Sequence, residues 1–280
     1  MLIAFQGEIG AFSEEAVRAL VPGAEPVPQP SFEAVFEAVT EARVDYALIP
    51  IENSLFGSVH INYDLLEAHA LWIAGEINLR IRHHLMAVPG ATLDGLREVH
   101  SHPQALGQCR TYLRTHLPRA QAVPAYDTAG AARMVARRGE PHLAAIASER
   151  AAAEYGLVVL APGIESNHQN YTRFLLLTRS PEAVPPGLPD APAKTSIVYS
   201  LHHNVPGGLF KSLAVFALRD IDLFKIESRP LVGSPGQYLF YLDLAGAHTD
   251  APVQRALDHL REISATLKVL GSYPGGRTVG

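Results

Sequence analysis

"SPEAVPPGLPDAPAK", Ser180–Lys194, is the stretch on which the fold turns, because the chain changes rhythm across it. It carries five prolines and one glycine among small residues. Proline lacks a backbone donor and breaks helices and central strands, so the stretch reads as a semi-rigid linker. It predicts a first domain over residues 1–179, a linker over 180–193 and a second domain over 194–273. Both domains fall within the usual size range.

Upstream of the linker, apolar strands alternate with helical segments. "LIAFQG" is followed by "SEEAVRAL", "VDYALIPI" by "VHINYDLLEAH", and "HLAAIA" by "SERAAAEYG". Strands alternating with helices predict an α/β fold with a largely parallel sheet. "LWIAGEINLRIRHHLMAV" is long enough to cross between two lobes. Downstream, "KTSIVYSLHH", "VPGGLFKSLAVFAL", "LFKIESRPL", "QYLFYLDLAG", "DAPVQRALDHLREIS" and "TLKVLGSY" read strand, helix, strand, strand, helix, strand. That βαββαβ order is the ferredoxin-like pattern.

Composition bounds the function. The chain has 280 residues, 48% hydrophobic and 18% charged, which marks a folded protein. A net charge of −5 argues against a general nucleic-acid binder. No run approaches the length of a membrane span. A single cysteine, Cys109, excludes an internal disulfide. With no basic, apolar leader at the start, this predicts a cytoplasmic location. The pairs His83–His84 and His202–His203 are adjacent and point to opposite faces of a strand, so no metal is expected. No phosphate loop, dinucleotide fingerprint, HExxH or GxSxG is present, and no cofactor is expected.

In α/β folds, ligands sit where strands run into helices. Three such junctions carry polar residues. "IPIENSLFGSV" offers Asn53 and Ser54, and "VHSHPQALGQC" offers Ser101, His102, Gln104 and Gln108. "NYTRFLLLT", Asn170–Thr178, offers Thr172 and Arg173 ahead of an apolar run from Phe174. Neutral donors and one arginine suit a carboxylate ligand. Each element also has a plain alternative: Asn53, Ser54, Ser101 or His102 as helix caps, Arg173 as a surface ion pair, the glutamines as a solvated face. Cys109 reads as a buried small side chain rather than a nucleophile. Residues alone support an anion-binding α/β protein.

The four segments "VDYALIPIENSLFGSV", "SHPQALGQC", "DTAGAA" and "NYTRF" occur together in an order and spacing that resemble the prephenate dehydratase family. The tail, with "VPGGLFKSLAVF" and "KIESRP", resembles the ACT regulatory domain that follows it. The resemblance implies a two-lobed catalytic domain, like a periplasmic binding protein, and then the ferredoxin-like ACT domain. It implies conversion of prephenate to phenylpyruvate, carbon dioxide and water in phenylalanine synthesis, without metal or cofactor. By motif position, Thr172, Asn53, Ser101 and Gln108 would be catalytic. Arg173, Phe174, Ser54, His102, Gln104 and Thr128 would bind substrate. L-Phenylalanine would bind between paired ACT domains at Asn204, Gly207, Gly208, Leu209, Glu227, Ser228, Arg229 and Pro230. Gly208 departs from the family's usual alanine. The expected partners are thus prephenate and phenylalanine, in a homodimer or homotetramer. Arogenate, which has an amine where prephenate has a ketone, remains an alternative substrate. A non-catalytic amino-acid sensor is the alternative from another class.

Overall fold

A computed structural model describes all 280 residues. The first stretch gives β1 (Leu2–Gln6), α1 (Phe12–Leu20), β2 (Glu25–Gln29), α2 (Phe32–Thr40), β3 (Tyr46–Asn53), β4 (Gly57–Ser58), α3 (His60–Ala68) and β5 (Trp72–Arg80). The second gives β6 (His84–Ala87), β7 (Glu98–Ser101), α4 (Pro103–Gln108), α5 (Arg110–His116), β8 (Gln121–Pro124), α6 (Thr128–Arg138), β9 (Leu143–Ala147), α7 (Glu149–Tyr155) and β10 (Val158–Ala161). The chain then returns through β11 (Tyr171–Thr178). The last part is β12 (Ala193–Leu201), α8 (Gly208–Ala217), β13 (Leu223–Pro230), β14 (Tyr238–Ala245), α9 (Ala251–Ile263), β15 (Ser264–Pro274) and β16 (Arg277–Val279).

Two sheets build two lobes. One runs β16-β5-β11-β3-β1-β2, with β4 paired to β3. The other runs β10-β6-β9-β7-β8. β1 is parallel to β2 and β3, and β7 is parallel to β8 and β9, whereas β6 meets β9 antiparallel. The second lobe explains its own sequence. β9, "LAAIA", is apolar throughout because both of its faces are covered. Ala144 and Ile146 pack with Val99, Leu106 and Cys109, while Leu143, Ala145 and Ala147 pack with Ala131, Val135 and Ala151 on the other face. Cys109 is fully buried, and burial pushes its thiol pKa far up, as expected for a packed side chain.

Contacts divide the chain into two compact units. One is Met1–Asn62 with Ile77–Phe174 and Thr278–Gly280, and the other is Tyr63–Glu76 with Leu175–Arg277. The second unit has the βαββαβ order and the sheet order β13-β14-β12-β15, all antiparallel pairs, as in a ferredoxin-like ACT domain. Its core joins Ile197 and Tyr199 of β12 to Phe216 of α8 and to Leu257 and Leu260 of α9. Tyr63–Glu76 belongs to it through polar ties. Lys268 donates from Nζ to the carbonyls of Leu66, Glu67 and His69 at 2.6–2.9 Å, capping the C-terminal end of α3. Lys194 pairs with Glu76 at 2.8 Å. No helix is long and apolar enough to cross a membrane.

Candidate active site

A cavity of about 550 Å³ lies in the first unit, within the range that small-molecule sites occupy. The ends of β1 and β3 and the starts of α1, α4 and α6 open onto it, the strand–helix junctions where α/β folds place ligands, together with the start of β11. Its wall includes Asn53, His102, Gln104, Gln108, Thr128, Thr172 and Phe174 from the expected set. Gln6, Ser13, His83, Tyr126, Asp127 and Asn170 join them.

A chain of side-chain hydrogen bonds crosses the cavity wall. Asn53 Oδ1 accepts from the backbone N–H of Leu55 at 2.9 Å and of Phe56 at 3.1 Å. This Asx-type turn fixes the amide, leaving Nδ2 as its donor end. Nδ2 donates to Asn170 Oδ1 at 2.8 Å and to Thr172 Oγ1 at 2.9 Å. Asn170, whose oxygen is taken, donates from Nδ2 to Gln108 Oε1 at 2.9 Å. His83 Nε2 stands 2.5 Å from the same Gln108 oxygen. Two donors on Gln108 Oε1 require His83 to carry its proton on Nε2, and they leave the Gln108 NH₂ group for other partners. Two backbone amides therefore set the polarity of the whole chain. At its end Thr172 accepts from Asn53, so its own O–H is free to donate.

Burial keeps the site neutral where the sequence offers histidines. His83 is buried, and desolvation lowers its pKa despite its contact with Gln108 and the nearby charge of Glu165. Phe12 packs edge-on against its ring, with centroids 5.5 Å apart. His102 caps α4, its Nδ1 accepting from Gln104 N–H at 3.3 Å, and desolvation lowers its pKa too. Asp127 caps α6 through the Gly130 N–H. Desolvation raises its pKa. The first lobe meets the second at Gly10. There φ is +90°, and an added Cβ would come within 2.8 Å of Ala151 Cα. Around it, Ser148 Oγ donates to Gly10 O, Tyr155 Oη donates to Ile9 O, and Glu8 pairs with Arg133 at 2.7 Å.

Three expected site residues lie elsewhere. Ser101 is wholly buried and donates from Oγ to Ile146 O at 2.6 Å, which ties β7 to β9. Ser54 Oγ donates to Gln169 O and accepts from Tyr171 N, bracing the turn after β3 against β11. Arg173 falls between Thr172 and Phe174, both of which line the cavity. A strand alternates sides, so Arg173 points away from the cavity, half-buried and with a partner of its own. Asn170 is legible by the same alternation, two residues before Thr172. His83 escapes a reading based on adjacency, which excludes a paired metal site but not one histidine facing a cavity.

In the second unit a small space of about 10 Å³ lies beside Asn204, lined also by Leu201, Gln237, Tyr238 and Phe240. Gly207 is left-handed at φ +78° and starts α8. An alanine Cβ at Gly208 would sit 2.9 Å from Leu201 Cδ1, the tip of a flexible side chain that can move aside, so this position does not itself demand glycine. Leu209, Ser228 and Pro230 are exposed. Glu227 lies 3.6 Å from Lys225. Arg229 grips Asp64 of α3 through two bonds, at 3.2 and 2.6 Å.

Comparison with known proteins follows the same division. The family model for prephenate dehydratase matches residues 3–182. The Arabidopsis thaliana arogenate dehydratase/prephenate dehydratase 2, chloroplastic, is 48% identical over 287 aligned residues, covering 99% of this chain and 74% of that protein. A prephenate dehydratase from Arthrobacter aurescens, solved in complex with L-Phe, superposes with a TM-score of 0.87 at 36% identity, covering 98% of this chain and 90% of that one. A protein described as a novel type of quorum-quenching acylase superposes with a TM-score of 0.89 at 36% identity, covering 98% of each chain. The cytoplasmic expectation is corrected by these relatives, several of which are chloroplastic. A lone cysteine excludes an internal disulfide and does not say which compartment holds the chain.

Proposed function

The chain belongs to the prephenate dehydratase family, and from that premise we propose that its cavity carries out the decarboxylating dehydration of prephenate or its amino counterpart, arogenate. The products are carbon dioxide, water and phenylpyruvate or phenylalanine, respectively. Relatives named for arogenate, for prephenate and for both support keeping the two substrates together.

The observation that carries the mechanism is the donation from Asn53 Nδ2 to Thr172 Oγ1. In this reaction a ring carboxylate leaves as neutral carbon dioxide while a hydroxyl leaves from the opposite ring carbon. Gain of the aromatic ring drives the step, and expulsion of hydroxide sets the barrier. A proton or strong hydrogen bond to that oxygen is the main requirement, and such help is worth ~10²–10⁴ in rate. Thr172 Oγ1 already accepts one hydrogen bond, so its O–H is directed to the leaving oxygen. As negative charge gathers on the leaving oxygen and on Oγ1, the Asn53 N–H stabilises it from behind without reorganising. Gln104, Gln108, Thr128 and Ser13 supply neutral donors for the substrate's carboxylates. A wall without lysine or arginine suits decarboxylation, since a cation on the ring carboxylate would stabilise the ground state.

For the second unit, phenylalanine acts as an allosteric ligand held between two copies of the ACT domain. Support comes from the Gly207–Gly208 turn at the start of α8 and from the exposure of Phe210, Phe224, Ile226 and Val232. The test is a turnover assay of the purified chain on both substrates, with and without phenylalanine. Carbon dioxide release from at least one substrate and a response to phenylalanine are expected. No turnover of either would overturn the catalytic reading, and an unchanged rate with no phenylalanine bound would overturn the regulatory one.

A further inference from the structure

The first unit buries or half-buries every phenylalanine and tyrosine side chain except two, Phe56 at 49% exposed and Tyr126 at 64%. An exposed apolar ring standing alone is ordinary. These two are not scattered, for both line the cavity. Phe56 comes from the turn between β3 and β4 in the first lobe, and Tyr126 from the connection between β8 and α6 in the second. Small-molecule sites present aromatic surface in this way, open until a ligand covers it.

Each ring is held by its own surroundings. The Phe56 N–H donates to Asn53 Oδ1 at 3.1 Å, and Gly57, left-handed at φ +78°, turns the chain back into β4. Tyr126 lies on the backbone of Gly130, where an added Cβ would overlap the tyrosine ring. Its Oη donates to Glu8 Oε1 at 2.9 Å and accepts from Arg133 Nη2 at 3.2 Å. Glu8 follows β1 in the first lobe, so the second lobe's ring is fixed from both sides. The one proton of the hydroxyl is committed, and Tyr126 meets a ligand with its ring rather than with a donor.

We propose that Phe56 and Tyr126 form a clamp, one ring from each lobe, that grips the six-membered ring of the substrate and holds the aromatic product more tightly. This inference rests on the dehydratase reading and adds the residues that recognise the ring. The neutral donors of the wall serve the carboxylates and the hydroxyl, and the ring itself is left to apolar surface. The substrate's ring has two double bonds and is not aromatic. Loss of carbon dioxide and water makes it a benzene ring, whose quadrupole adds to the contact when it meets another aromatic ring. The grip therefore strengthens along the reaction.

The test compares inhibition by two keto acids, phenylpyruvate and its saturated-ring analogue cyclohexylpyruvate, in wild type, Phe56→Leu, Tyr126→Leu and the double variant. The two probes share the carboxylate and the ketone and differ only in whether the ring is aromatic. Leucine keeps apolar bulk at two exposed positions, and a thermal melt of each variant checks the fold. Wild type should bind phenylpyruvate, in competition with substrate, at least about fivefold more tightly than the analogue. Each leucine variant should cut that preference by about 2- to 10-fold. Phe56→Tyr and Tyr126→Phe keep a ring and should retain more than half of it. A merely structural role would weaken both probes equally and leave the preference where it was. A preference unchanged in both leucine variants, or phenylpyruvate that does not compete with substrate, would overturn the proposal. If wild type turns over substrate normally while the preference ignores both rings, only the clamp is lost. If wild type converts neither substrate, the dehydratase reading fails and takes the clamp with it.

Discussion

Asn53→Asp reverses the polarity of the hydrogen-bond chain with almost no change in shape. In the wild type, Nδ2 donates to Asn170 Oδ1 at 2.8 Å and to Thr172 Oγ1 at 2.9 Å. In the variant an acceptor oxygen occupies that position. The other oxygen still takes the Leu55 and Phe56 N–H groups, so the side chain keeps its orientation. Asn170 cannot turn its amide to help, because its Nδ2 is committed to Gln108 Oε1. Thr172 can satisfy the new carboxylate only by giving it the O–H, which withdraws that proton from the leaving hydroxyl. Loss of the assistance predicts a fall in kcat of ~10²–10⁴, which is about 2.7–5.5 kcal/mol of barrier. KM should change by less than about threefold, since the interaction belongs to the transition state. The new carboxylate oxygen would also face Asn170 Oδ1, acceptor against acceptor, at a cost of about 1–3 kcal/mol of stability. Asn53→Ala removes the donor without capturing the hydroxyl, so its kcat should lie between wild type and Asn53→Asp. Steady-state kinetics with a thermal melt of each variant checks both effects. A folded Asn53→Asp variant with kcat within about threefold of wild type would refute the polarity argument.

Gly10→Ala should lower stability by roughly 2–4 kcal/mol, because a left-handed φ and a Cβ 2.8 Å from Ala151 Cα act together. Calorimetry measures the loss, and a melting temperature equal to wild type would contradict the tight lobe contact at Gly10. Stability should also fall on acidification from pH 7. His83 has a depressed pKa when folded, so the unfolded chain binds the proton first. The stabilisation is then lost as pH drops below the ordinary histidine value of 6.5 towards the folded pKa. In that window His83 alone contributes a slope of about 1.4 kcal/mol per pH unit. Denaturant melts of wild type and His83→Gln across this range check it, and identical slopes would remove His83 as the cause.

Much of this architecture is legible in the sequence, for definable reasons. The proline-rich segment breaks both periodicities at once, and β9 is apolar on every residue because helices cover both of its faces. The cavity wall is legible where a strand's period of two applies. Asn170, Thr172 and Phe174 share a face, and the same rule places Arg173 on the other. The chemistry of arginine points to the site, while the alternation of the strand sets Arg173 on the face opposite Thr172. Ser101 cannot be placed from sequence. A serine between a strand and a helix looks the same whether it meets a ligand or a neighbouring strand's carbonyl. The joining of Tyr63–Glu76 to the C-terminal unit depends on Lys268, Lys194 and Arg229, which lie more than a hundred residues away along the chain.

The central claim is that the Thr172 hydroxyl, held as a donor by Asn53, assists departure of the substrate's hydroxyl. The direct measurement is kcat for Thr172→Ser and Thr172→Val on the preferred substrate. Serine keeps the hydroxyl and should stay within about tenfold of wild type. Valine keeps the shape but neither accepts from Asn53 nor donates, and should lose at least ~10² in kcat. Near-full turnover by Thr172→Val would contradict the account.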